Sequence, residues 1–239
     1  MALQPNFNRS AVVRSAPAVD EGLRQYMLGI YTYMSLGVLL TGLVAYFVGT
    51  NNYLLYSIFS SKALTWVVLL APVGVALAIG FRLEKMKAST AQLLFWVYAA
   101  LMGLSLSTIF AVYTQASIAK VFFVTAAMFG GMSLYGYTTK KNLAGLGSFL
   151  IMGVWGLIVA LVVNMFLRSS GLDFLISIVG VLIFTGLTAY DTQIAKAAYS
   201  EADGLEMTKK KSIISALNLY LDFINIFIYM LRFLGNSRN

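Results

Sequence analysis

No residue between Gln25 and Ser61 carries a charge, and six further apolar runs follow it along the chain. Together the runs cover roughly residues 27–48, 63–81, 91–113, 121–139, 146–167, 174–190 and 213–233. A helix needs about 20 such residues to cross a hydrocarbon core about 30 Å thick. In lipid every backbone N–H and C=O must be paired, and no alternating strand pattern is present, so the runs are expected to be helices. The sequence therefore predicts an all-α integral membrane protein, a seven-helix transmembrane bundle over residues 26–239. Charged residues make up 11% of the 239, where soluble domains carry about 25%, which leaves no room for a separate soluble domain. Residues 1–25 hold Arg9, Arg14, Asp20, Glu21 and Arg24 and two of the three prolines, without an apolar signal-peptide core. They are expected to form a flexible cytoplasmic tail.

Lys and Arg orient the bundle. With the N-terminus inside, twelve of the 17 fall on the inner side and five (Lys62, Lys120, Arg168, Arg232, Arg238) on the outer. That bias predicts a multi-pass protein with a cytoplasmic N-terminus. If the last run crosses fully the C-terminus lies outside; if it is re-entrant, it returns inside. The net charge of +8 flanks the spans and forms no basic patch with interleaved aromatics, so nucleic acid is not an expected partner and the lipid bilayer is. Cysteine and histidine are both absent, which removes disulfides, thiol chemistry and the commonest metal ligand. No Walker loop, HExxH or Ser/His/Asp set appears, so no enzyme activity and no bound cofactor are expected.

Asp222 lies in the middle of the last run, ten residues in from Ser212. A rise of about 1.5 Å per residue puts it roughly 15 Å deep, near the midplane. A charged residue there costs roughly 2.5–3.5 kcal/mol even on lenient scales, so it must face the protein interior, find a partner or line a watery path. Asp191 ends the sixth run, whose helix is expected to continue to about Ala198, and the two carboxyls can meet at similar depth. Asn218 and Asn225 share a helical face with Asp222, and Thr188 stands one turn before Asp191. This oxygen and amide cluster suits protons or a hard cation such as Ca²⁺, with Asp191 and Asp222 as its candidate ligands. Two carboxylates held close together do not both ionise cheaply, a physical route to a pH-gated cation site. The simpler reading is that the aspartates staple two helices together, with Arg82 as a salt-bridge partner. Gly130, Gly131 and Gly136 are expected to allow close helix approach.

The segments SLYGYTTKKNL (133–143), GLTAYDTQ (186–193) and LYLDFINIF (219–227) closely resemble the Bax-inhibitor (transmembrane BAX inhibitor motif) family, in its bacterial inner-membrane branch. The resemblance runs from the first span to the C-terminus. It implies six helices wrapped around a central seventh, and a pH-sensitive calcium leak channel of the inner membrane. The implied sensor is a hydrogen-bonded aspartate pair, here Asp191 and Asp222, with Arg82 as the latch of the closed form. The same resemblance implies an alternative: a regulatory membrane protein of stress or cell-death control, acting through a partner such as a membrane protease. Calcium is then a permeant ion and not a cofactor. The 31-residue gap between the aspartates is longer than this pattern leads one to expect, and the extra length is expected in a loop at 199–211.

Overall fold

The computed structural model describes residues 16–82 and 85–237. Its helices run in the order α1 (Ala16–Gly49), α2 (Asn52–Phe59), α3 (Lys62–Arg82), α4 (Ala88–Leu106), α5 (Ile109–Val112), α6 (Gln115–Thr138), α7 (Ala144–Leu167), α8 (Ser170–Ala197) and α9 (Leu205–Leu234). Seven segments are long and apolar enough to cross a membrane, with α4 and α5 together making the third.

Three boundaries differ from the sequence reading. α1 starts at Ala16, so residues 16–25 of the expected tail are helical and continue into the first span; residues 1–15 lie outside the described residues. The third span is broken at Ser107 and Thr108, where the backbone of Ser107 lies against Gly49 at the end of α1. The expected loop at 199–211 shrinks to 198–204, because 205–211 already belong to α9. Local contacts hold those first turns. Glu206 accepts a hydrogen bond from the free N–H of Ala88 at the start of α4 (2.6 Å), a favourable place for an anion. Lys211 pairs with Asp203 at 2.5 Å and donates to the Ala198 carbonyl at 3.0 Å, closing the α8–α9 connection.

α9 is the centre of the bundle. At about 1.5 Å per residue its 30 residues reach roughly 45 Å, enough to cross in one piece. In its most apolar window 72% is buried, against 17% for both α3 and α7. The reason is in its neighbours: α1, α4, α6 and α8 all pack against it, whereas α3 leans on α4 and α7 on α8. The expected ring of six is therefore an inner four with an outer helix on each side.

Polar side chains repair the backbone where a helix cannot. Pro72 lies inside α3 and has no N–H, which frees the carbonyl of Val68. Ser105 of α4 donates its hydroxyl to that carbonyl at 2.8 Å. Of the three glycines in α6, only Gly136 fits the expectation of close packing, lying against the backbone of Ala189 in α8; Gly130 and Gly131 have open space where a Cβ would stand.

Candidate functional site

α8 and α9 are antiparallel neighbours joined by seven residues, so Asp191 and Asp222 come to the same level. Small residues set the spacing: Gly180 of α8 lies under the ring of Tyr229, about two turns beyond Asp222 on α9. The two carboxyls lie within side-chain hydrogen-bonding reach of each other. Carboxylates are acceptors only, so that contact needs one proton between them. Asp222 is 3% exposed, and apart from the contact with Asp191 its Oδ2 takes no hydrogen bond from any donor among the described residues. Asp191 is half-buried.

The other expected members divide. Asn218 and Asn225 line the same cavity as the pair, Asn218 from an exposed position. Asn225 donates its Nδ2 to the Leu221 carbonyl one turn back (2.8 Å), which leaves its Oδ1 as the free end. Thr188 is fully buried but donates to its own helix, at the Phe184 carbonyl (2.8 Å). Arg82 is not brought to the pair. Its side chain is exposed at the end of α3, a helix that packs on α2 and α4 and stands apart from α8 and α9. Among the described residues no salt bridge joins a Lys or Arg to either aspartate, and no group of three or more acidic residues could hold a metal.

Sequence reasoning missed a second polar system beside the pair. Tyr31 of α1 and Ser133 of α6 share a hydrogen bond of 2.5 Å, and Ser133 shares another of 3.0 Å with Thr192, the residue after Asp191. Thr192 in turn bonds the Thr188 carbonyl at 2.7 Å. The next residue, Gln193, accepts from Leu143 N and donates to the Lys141 carbonyl, both at 2.8 Å. Lys196 sits 4.7 Å over the Tyr137 ring and donates to the Tyr137 carbonyl. The segments 133–143 and 186–193 are thus bonded to one another in space. The signal was available: Thr192 and Lys196 are spaced by four, as are Ser133 and Tyr137, which puts each pair on one helical face.

A bundle of seven membrane-length helices, with an acid pair between α8 and its central helix, defines a multi-pass membrane protein. Residues 23–239 match the family described as "Inhibitor of apoptosis-promoting Bax1". A Rickettsia prowazekii protein is 48% identical over 220 residues, covering 92% of this chain and 93% of the relative. Inner membrane protein YbhL of Escherichia coli K12 is 42% identical over 219 residues, covering 91% and 94%. A Caulobacter vibrioides protein is 44% identical over 248 aligned positions, covering 98% and 99%. This chain is a member of the Bax inhibitor family.

Proposed function

We propose that the protein is a passive, pH-sensitive cation leak, calcium among its permeant ions, and that the Asp191–Asp222 pair is its gate. The observation that carries this reading is the pair itself: two carboxyls in mutual reach between α8 and the central helix, one of them with a buried oxygen that, the shared proton apart, no donor among the described residues satisfies. Intramembrane acids of this kind mark ion and proton paths. While one proton is shared, the pair ties α8 to α9. As pH rises and that proton leaves, two like charges face each other at low dielectric, and their repulsion loosens the contact. A passing cation offsets that charge. Two carboxyls and amide oxygens are fewer ligands than a retained Ca²⁺ ion takes, which suits a site that must also let the ion go. Arg82, exposed at the end of α3, has no part in this gate. The name of the Escherichia coli relative and the distribution of Lys and Arg support an inner-membrane location with the N-terminus in the cytoplasm.

The test is calcium flux into proteoliposomes across roughly pH 6 to 8, a range that buried carboxyls reach. Wild-type flux is expected to rise with pH, and Asp191→Asn or Asp222→Asn to flatten that dependence. Folded wild-type protein that passes no calcium at any of these pH values would overturn the leak. A pH dependence unchanged in both variants would remove the pair as gate.

A further inference from the structure

Because α7 rests on α8 and not on α9, a space opens beside the carboxyl pair. It is a cavity of about 530 Å³, within the roughly 300–1,000 Å³ typical of small-molecule sites. Its mouth is on the flank of the bundle, where Asn218 and Trp155 are exposed. In a membrane-spanning bundle that flank meets lipid, so whatever enters from there arrives through the hydrocarbon.

The cavity has two kinds of wall. Val154, Trp155 and Leu187 give it an apolar side. Asp191, Asp222, Asn218 and Asn225 line it as well, and no Lys or Arg is among the lining residues. This polar side holds two carboxyls with no cation in the lining to balance them, beside donors from the Asn218 and Asn225 amides and the Tyr229 hydroxyl. Apart from the proton shared with Asp191, Asp222 Oδ2 is buried without a donor among the described residues, and one of the two Asn225 Nδ2 hydrogens is committed to the Leu221 carbonyl. A buried acceptor left empty costs about 1–3 kcal/mol, so the site favours an occupant that brings donors. Lipid tails bring none. A primary ammonium brings three on a single positive centre, and a carboxyl pair sharing one proton carries a single negative charge to match it.

We infer that this cavity binds a hydrophobic amine. The ammonium sits against Asp222, Asp191 and the Asn225 Oδ1, and the alkyl or aryl tail lies along Trp155 toward the lipid. The inference rests on the same carboxyl pair as the leak and assigns that pair a ligand class. An amine in place neutralises the gate, so such amines act as blockers.

Trp155 supplies a readout that is independent of flux. The full chain in phospholipid nanodiscs is titrated with ω-bromodecylamine, whose bromine quenches tryptophan, and with ω-bromodecanol as a partition control. Trp155→Phe, which keeps Trp66 and Trp96, gives the background to subtract. The amine is expected to quench Trp155 saturably at a concentration about tenfold or more below that of the alcohol, a difference of about 1.4 kcal/mol. Asp222→Asn weakens the effect by a similar factor. Asn218→Phe, a change at an exposed position that fills the mouth without touching the core, removes it. Equal quenching by amine and alcohol in wild-type protein overturns the inference, as does saturable amine quenching that survives both variants. Calcium flux without amine quenching sinks only the amine site, and amine quenching without flux sinks only the leak.

Discussion

Among single residues, the separation of polar groups that face the pair from those that serve their own backbone makes sharp predictions. Thr188 spends its hydroxyl on Phe184, so Thr188→Val is expected to leave the pH dependence of flux unchanged. The same holds for Arg82→Ala, because that side chain meets neither aspartate. A shifted profile in either variant, measured in the same liposomes, would bring that residue back into the gate. Gly136 is the opposite case. Its position has no room for a side chain against the Ala189 backbone, so Gly136→Val is expected to destabilise the fold by about 1–3 kcal/mol, read as lost thermal stability in detergent. Gly131→Ala, facing open space, serves as the neutral comparison. From sequence the three glycines of α6 looked equivalent. Which of them meets a neighbour depends on how α6 is rotated, and a helix flanked by lipid on one side and protein on the other shows little apolar contrast to reveal it.

Helix by helix, the spans were legible because an uncharged run of membrane length has few other uses. Their ends were not, because ends are decided by contacts far away in the chain. Nothing near Leu205 announces that α9 begins there; Glu206 is held by the start of α4, more than a hundred positions earlier. Glu206→Ala should therefore cost about 0.5–2 kcal/mol, the usual range for a lost helix cap, and increase amide exchange at the start of α4. Unchanged exchange there would show that the cap is idle. Arg168 ends α7 in a left-handed conformation (φ 52°), which costs a side-chain-bearing residue about 1–2 kcal/mol. Arg168→Gly is expected to raise the melting temperature, and a fall would mean that the arginine side chain contributes more than its backbone strain. Ser105→Ala leaves the Val68 carbonyl without its donor and is expected to cost about 0.6 kcal/mol, the average for a hydrogen bond between membrane helices.

For the whole molecule, the seven-span bundle and the meeting of Asp191 with Asp222 could be read in advance, since two acids at matching depth on consecutive helices have few alternatives. The inner four and outer two could not. α3 and α7 are the most apolar of the spans, but every span is apolar enough for lipid, and apolarity alone does not say which helix is buried in protein. The cavity follows from that unreadable arrangement, as does the Tyr31–Ser133–Thr192 chain, whose hydroxyls come from three helices that only the assembled bundle brings together.

The central position of α9 also bears on biosynthesis. Chains emerge from the ribosome N-terminal end first, so among these spans the one that the others gather around is made last. Until it arrives, α1, α4, α6 and α8 have an empty slot where their shared partner belongs. A chain that stops short of residue 205 is thus left with four helices lacking their common contact. The arrival of α9 and the closing of the bundle become the same event.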